Sequence, residues 1–353
     1  NKLESFPLRL TRRSGVQLLG TNRETTVINV MGTNELRAFE LSELTGRTRI
    51  EGVTITGSRI TPPYLGNYRG GGVLVMNCAD VTLVSCAVTG NWMEASTWGT
   101  SFGGGGIYVE NSALNISDSV ISQNRGRLAG YNWAYGAGIY CTGSGWLQLT
   151  GCDVAGNWLT SGNSAPGAAV YATCAVNMQN CLVRGNMADG GGGHSALYMA
   201  AGGSLVNCTL ADNVATYGLN RAGGTVAVTN SILWNNGDDV LGAVTLSHSD
   251  VEDGDNNGTN GCIKTSPLFE YGYYLATNSP CVDSGTNTPA YYGLTGRTTR
   301  ADGVVDSGLV DMGYHFAAGI LTAGYCSDLY VSPSGNNSNS GTNWTQALRT
   351  IGK

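Results

Sequence analysis

Lysine is nearly absent from this 353-residue chain: Lys2, Lys264 and Lys353 stand against sixteen arginines. Charged residues of all kinds make up 12% of it, and the formal net charge is -6. So sparse and acidic a set argues against nucleic acid or an anionic membrane surface as partner, since both are held by clustered cations. Histidine occurs three times, which leaves few of the usual general bases and metal ligands. No apolar run approaches the ~18 residues of a membrane-spanning helix, so no transmembrane segment is expected. No leader is recognisable at the abrupt start Asn1-Lys2-Leu3-Glu4, as in a mature or excised fragment. What the chain has in quantity is glycine, 53 residues of it, with many Asn, Ser and Thr, and a hydrophobic content of 41%. It can therefore bury a core, and its polar residues favour short strands and tight turns over helices. The ten cysteines are compatible with an oxidising compartment. None forms a C-x-x-C pair, which argues against a zinc or thioredoxin-like site.

An internal repeat organises the chain. Val81–Asn91, Leu114–Asn124, Leu147–Asn157, Val176–Asn186, Gly203–Asn213 and Val226–Asn236 align, with a weaker copy at Thr48–Ser58. Counting back from the closing Asn, apolar or small residues recur at minus ten, eight, five and three, as in Val81, Leu83, Cys86 and Val88. Period-two alternation marks a strand with one buried face, and the odd step from minus eight to minus five requires a bend between two strands. A further strand precedes each pair: Gly72-Val-Leu-Val, Gly106-Ile-Tyr-Val, Gly138-Ile-Tyr-Cys, Ala168-Ala-Val-Tyr and Ser195-Ala-Leu-Tyr. Three short strands per repeat make the coil of a parallel β-helix, each strand pairing with its equivalent one coil away. The closing Asn residues are 33, 33, 29, 27 and 23 apart, so one loop, the one after the Asn, shrinks while the strands stay constant. Its insertions emerge along one edge.

The minus-five position holds Cys86, Ser119, Cys152, Cys181, Cys208 and Ser231, an inward ladder of small buried groups. Directly stacked neighbours are poorly aimed for disulfides. Cys78, Cys141 and Cys174 lie off this ladder; Cys262 and Cys281, flanking a loop-rich stretch, are the best candidates for a bridge. The Asn ladder is expected to bond turn backbone and stacked neighbours, and to take the left-handed conformation at corners.

Chemistry-bearing motifs are few. His194, His248 and His315 belong to no recognisable Ser/His/Asp set. Arg49-Ile50-Glu51, Gly193-His194-Ser195 and Gly237-Asp238-Asp239 echo motifs of pectin-cleaving hydrolases, but in reverse order and with an Asp motif missing. Arg125 and Arg127 share one loop, with no acidic cluster expected on the neighbouring coils. Asp253, Asp255 and Asn257 match the first half of a calcium loop, which makes calcium the candidate ion; Lys264 stands where its bidentate Glu belongs, and the competing reading is an Asx-rich turn. The loops after the Asn carry Trp92, Trp98, Phe102, Tyr131, Trp133, Tyr135, Trp158 and Tyr217. Aligned on one edge, these rings would suit sugars or a protein partner; the alternative is that the loops pack on themselves.

These coils resemble the bacterial right-handed parallel β-helix repeat proteins. Ser266-Pro-Leu-Phe269, Tyr273-Tyr-Leu275, Asn278-Ser-Pro280, Val282-Asp-Ser-Gly285 and Leu309-Val-Asp-Met-Gly-Tyr314 are similar to the closing "choice-of-anchor Q" region of such proteins. There the words run Pro-Leu-Phe, Ser-Pro-Ala-Ile-Asp-Xaa-Gly and Asp-Xaa-Gly-Ala; Cys281 replaces the usual small residue. The resemblance covers most of residues 45–316 and implies a secreted or surface-attached protein, usually without known activity. Phe6–Leu10 and Ser14–Gly20 resemble the later part of a NosD-like opening. Leu329–Gly335, Gly341–Trp344 and Leu348–Lys353 resemble its beginning. This order is the reverse of the family's, as in one period of a tandem array or a chain whose ends complete each other.

The expected fold is thus all-β: a right-handed parallel β-helix with an irregular C-terminal region. Entry coils are expected over 1–45, regular coils over 46–240, a closing region over 241–316, a linker over 317–328 and a tail over 329–353. The leading function is an extracellular structural or adhesive protein, self-associating head to tail. Tail residues Tyr330, Val331, Trp344, Leu348 and Ile351 would dock on Leu8, Leu10, Val16 and Leu18. The alternative is a protein that binds or cleaves a polysaccharide through Trp92, Trp98, Tyr131, Trp133, Tyr135, Trp158 and Tyr217.

Overall fold

The computed structural model describes residues 6–30, 37–61, 68–95, 102–128, 133–190 and 192–318. These form two compact units: one runs up to Thr265 and includes Met312–Tyr314, and the other holds Ser266–Asp311 and the residues from His315.

In the first unit the repeat becomes a parallel β-helix of three nine-stranded sheets. A representative rung comprises Ile107–Glu110 in sheet A, Ala113–Ser117 in sheet B and Val120–Ser122 in sheet C. Each strand is in register with its equivalents one rung away, as in Val81↔Leu114↔Leu147↔Val176. Inward residues such as Leu83, Val109, Ile116, Ile121 and Leu149 are at most 1% exposed and form one continuous core. Seven copies were legible in the sequence; the other two rungs are the first and the last. The last rung comprises Asp238–Leu241, Thr245–Ser247 and Asp250–Val251. The solenoid therefore continues past residue 240, and the second unit begins only at Ser266.

Corners in sheets B and C follow one rule. A residue with positive φ ends most of their strands, and the next residue turns inward. Between sheets B and C the pairs include Ser85-Cys86, Asp118-Ser119, Gly151-Cys152, Asn180-Cys181 and Asn207-Cys208. At the closing corner the left-handed residues are Gly90, Gln123, Gly156, Gly185, Asp212 and Asn235. The ladder asparagines themselves do not take this conformation; the residue before each one does. The ladder Asn is thus free to aim its amide inward. Asn157 Nδ2 donates to the Ile121 carbonyl at 2.8 Å and to Asn186 Oδ1 at 2.9 Å. Asn157 Oδ1 in turn accepts the main-chain N–H and Nδ2 of Asn124. The pattern repeats from Asn91 to Asn213, with all six asparagines at most 3% exposed. A Cβ on Gly106 would lie 2.8 Å from Asn124 Nδ2, and Gly72 and Gly138 meet Asn91 and Asn157 in the same way, which favours glycine before these three sheet A strands.

The cysteine ladder is buried and reduced at Cys86, Cys152, Cys181 and Cys208. It also bonds: Cys86 N donates to Ser119 Oγ, Cys181 N to Cys208 Sγ and Cys208 N to Ser231 Oγ. Cys and Ser share this position because both are small and both can accept a corner N–H. The one disulfide among the described residues is Cys141–Cys174, with a Cα separation of 6.0 Å. Cys262 is a buried thiol, so the bridge to Cys281 favoured from sequence does not form. Cys141 stacks on Ala172, so Cys174 lies two residues further along the next rung. That diagonal offset gives the reach that directly stacked positions lack.

The residues that immediately follow the closing position, expected as loop, form strands in five successive copies. Arg59–Ile60, Trp92–Ala95, Arg125–Leu128, Trp158–Ser161 and Met187–Gly190 form a five-stranded parallel sheet D, and Tyr68–Arg69, Phe102–Gly103 and Ala134–Tyr135 a three-stranded sheet E. Inward residues of sheet D, namely Ile60, Met93, Leu128, Leu159 and Ala188, make a second apolar core with Ala134, Ala137, Ala165 and Ala168. Alternation of buried and exposed residues along Arg125–Leu128 shows the pleat.

The second unit is turn-rich. Its described elements are a 3-10 turn, Pro289–Tyr292, and an antiparallel pair, Arg297–Thr298 with Phe316–Ala317. Tyr274 stacks on Phe316. Among the described residues no helix is long and apolar enough to cross a membrane.

Candidate functional site

The outer face of sheet D carries two columns of side chains. In the first, Arg59, Trp92, Arg125, Trp158 and Met187 are in register on consecutive rungs. The guanidinium of Arg59 lies 4.7 Å from the Trp92 ring centre. That of Arg125 sits between two indoles, 5.5 Å from Trp92 and 4.3 Å from Trp158. Cation–π attraction of this kind contributes about 0.5–1 kcal/mol at exposed sites and more when desolvated. In the second column Glu94, Arg127, Thr160 and Asp189 follow one another. Glu94 pairs with Arg127 at 2.7 Å and with Arg59 at 3.9 Å. The acidic neighbour that the sequence reading did not place beside Arg127 is therefore present, one rung away. Arg125 has no ion pair among the described residues. Trp92, Arg125, Gly126, Arg127, Trp158 and Thr160 line a cleft of about 390 Å³. The indole N–H groups of Trp92 and Trp158 are screened from solvent and meet no acceptor in the described residues.

The rings expected on one edge are divided. Trp92 and Trp158 share the sheet D column. Trp133, 48% exposed, and Tyr135 stack together at 6.5 Å but belong to a different layer. Tyr135 packs 5.6 Å from Tyr140 and 4.6 Å from Tyr171. Those two belong to a tyrosine ladder on the outside of sheet A: Tyr108, Tyr140, Tyr171 and Tyr198, with successive ring centres 4.9, 5.0 and 4.6 Å apart. Burial pushes the Tyr135 hydroxyl up to about 12 and raises those of Tyr108, Tyr140 and Tyr171, so these are neutral packing groups near pH 7. Their signal was in the sequence, as the Tyr recurring in four consecutive sheet A strands. Tyr217 begins the strand Tyr217–Arg221 of sheet A, opposite Ser195 and Asp238, and is not on the sheet D edge. Trp98 and Tyr131 lie outside the described residues.

Other candidates are structural in their bonding. Both oxygens of Asp253 accept backbone N–H groups, from Asp239 and Asp255; Lys264 Nζ donates to the Asp253 carbonyl. The Asp253, Asp255 and Asn257 segment is thus an Asx-bonded turn, whose lead carboxylate is already engaged. Asp283, Asp306 and Asp311 each place a ligand atom within 4.8 Å of the others. Two of the three are engaged too: Asp306 Oδ2 bonds His315 Nε2 at 2.8 Å and accepts the Asp311 N–H, while Asp311 accepts the N–H of Asp283 and the hydroxyl of Thr299. Arg49 pairs with Glu51 on its own strand, far along the solenoid from His194 and Asp239, so the hydrolase echoes do not converge. Leu8, Leu10 and Leu18 pack partly buried against the first-rung end of the core; Val16 accepts the Arg49 N–H through its carbonyl. Their expected partners Tyr330, Val331, Trp344, Leu348 and Ile351 lie outside the described residues.

Comparison with known proteins agrees with the fold. The family described as "Right handed beta helix region" matches residues 8–161, and the protein is a right-handed parallel β-helix. No curated protein matches the chain. Among solved structures, a pectate lyase, Pel9A, is similar over 86% of each chain at 14% identity with a TM-score of 0.41.

Proposed function

We propose that this protein is an extracellular adhesive or structural β-helix that holds a polysaccharide on the outer face of sheet D. The observation that carries the reading is the cleft between Trp92 and Trp158. Aromatic walls beside fixed polar groups suit sugar rings, which present apolar faces and hydroxyl edges. Binding is favoured over cleavage because glycoside hydrolysis employs a pair of carboxylates flanking the bond. The residues lining this cleft contribute none, and the adjacent Glu94 is held by Arg127 and Arg59. Tryptophan fluorescence titrated with a panel of polysaccharides tests the reading. A saturable change is expected with at least one of them, and Trp158→Ala should weaken that binding by roughly tenfold or more. A panel without response, or binding indifferent to Trp158→Ala, would remove the site.

End-to-end assembly is a second reading, motivated by the first rung. Leu8–Thr11, Gln17–Leu19 and Val27–Asn29 are terminal strands of sheets A, B and C, and Leu19 and Val27 are 61% and 50% exposed. Unprotected strand edges invite pairing. Residues 329–353, donated from a neighbouring chain, are the proposed occupant. Removing them should convert any oligomer seen by light scattering to monomer; oligomers that persist would defeat this reading.

A further inference from the structure

We infer that the polysaccharide is acidic, and that Arg125 receives its anionic group; this rests on the binding reading above. Three guanidiniums, those of Arg59, Arg125 and Arg127, stand on one face of a chain whose net charge is -6. Glu94 engages two of them, Arg127 at 2.7 Å and Arg59 at 3.9 Å. Among the described residues Arg125 is left with aromatic partners only. A guanidinium lying between two indoles, with no carboxylate on it among the described residues, keeps its N–H donors available. Those donors form a planar fork that fits a carboxylate or a sulfate ester. Stacking also fixes the side chain before the ligand arrives, which lowers the ordering cost of binding.

Geometry adds a repeat. Arg125 and Arg127 point to the same side of one strand, about 7 Å apart at the usual rise per residue. Trp92 and Trp158 are two rungs apart, about 10 Å at the usual strand spacing. A chain of acidic sugars lying across the cleft could place one acid group on Arg125. It would rest a ring against each indole edge. Glu94 then acts as a selectivity gate. Its one negative charge offsets one of the two positive charges on Arg127 and Arg59 and occupies their donors, which tempers indiscriminate attraction of polyanions and leaves Arg125 as the cation of this face without a carboxylate partner among the described residues.

Calorimetric titration of the full chain with alginate, dextran sulfate and unmodified dextran tests this. Alginate or dextran sulfate should bind, dextran far more weakly. Response to alginate alone identifies a carboxylate, to dextran sulfate alone a sulfate ester. Arg125→Gln should weaken the bound polyanion by roughly tenfold or more and flatten its salt dependence, with Arg125→Lys in between because it keeps charge but loses the fork. Because Arg125→Gln also removes a stacking partner, Glu94→Gln serves as the second variant: it frees two cations and should tighten polyanion binding severalfold. Dextran binding as well as the polyanions, or Arg125→Gln leaving polyanion affinity within about twofold, overturns the acidic assignment while sparing the sugar site. Failure of all three polymers, with no effect of Trp158→Ala, overturns the sugar site too.

Discussion

Two columns run along this solenoid on neighbouring residues and meet opposite fates. Asn91, Asn124 and Asn157 point into the wall, and Trp92, Arg125 and Trp158, each the very next residue, point out of it. In the buried column every rung repeats one side chain, and each amide both donates and accepts, so the column is complete in itself. In the exposed column two kinds of side chain alternate, and the alternation leaves a cation with aromatic company but no counter-charge. A repeating fold converts identity at one position into stability, and variation at the next into a surface that can recognise something.

The contrast predicts where substitutions act on stability and where on binding. The largest effect should come from the buried side. Cys152→Asp would place an unpaired carboxylate in a stack that is 0% exposed, and a loss of roughly 3–5 kcal/mol is expected in urea denaturation. A loss below about 1 kcal/mol would mean that the corner can open to water. Next, Asn157→Ala should cost about 2–4 kcal/mol, because the N–H and Nδ2 of Asn124 lose their shared acceptor and the Ile121 carbonyl its donor. Loss of the same size from Trp158→Ala would erase the distinction between the columns, since that change should reduce binding and spare most of the stability.

The ladder's end gives a smaller, pH-dependent effect. Asn236 has no further Asn to donate to, and its Nδ2 bonds Asp239 Oδ1 at 2.9 Å. Burial, reinforced by the nearby Asp253 carboxylate, pushes Asp239 up to about 6. A carboxyl raised in the folded state favours folding when protonated. Its contribution is therefore full below the usual carboxylate range and is lost as pH rises through about 6, on the order of 2 kcal/mol. Hydrogen exchange at the Glu252 amide, which donates to Asp239 Oδ2, should quicken relative to the Asn124 amide between pH 5 and 7 (~100-fold in intrinsic rate for both, so the ratio is what reports). A constant ratio would show that Asp239 is not coupled to the last rung. The smallest effect belongs to a surface pair: Arg184 and Asp153 are joined at 2.8 Å but 41% and 24% exposed. Asp153→Asn should change stability by less than about 1 kcal/mol, and less still in high salt; a larger loss in urea denaturation would mean that outward pairs help hold the rungs together.

Much of the wall was legible because its signals are local or strictly periodic. Val81, Leu83, Cys86 and Val88 alternate within a few residues, and the copies that follow reproduce them at the same offsets. The Asn ladder could be read as structural before any contact was known. The site was legible only in its ingredients. Trp92, Trp133 and Trp158 read as members of one aromatic edge; Trp92, Arg125 and Trp158 each follow a closing Asn and so share one position of the repeat, but whether the segment beyond the Asn keeps that register is set by pairing between coils. The acidic partner of Arg127 is of the same kind: Glu94 holds the equivalent position one copy earlier, 33 residues away, and becomes its neighbour only because the segments after the Asn pair as strands.

The sequence by itself determined the rung. A period-two pattern fixes which side chains face inward, and a repeated corner fixes where the chain turns, since both follow from backbone geometry within a single copy. Tertiary structure decided everything that depends on stacking unequal copies. The inserted segments differ in length from coil to coil, yet pair in register as sheets D and E over a second core. That pairing put Arg125 between Trp92 and Trp158, sent Trp133 and Tyr135 to the tyrosine layer, and offset Cys174 diagonally from Cys141. Cross-rung neighbours lie one strand spacing apart, about 4.8 Å, whatever the length of chain between them. Proximity of this kind is set by hydrogen-bonded register between coils and is invisible to any pattern read along one coil.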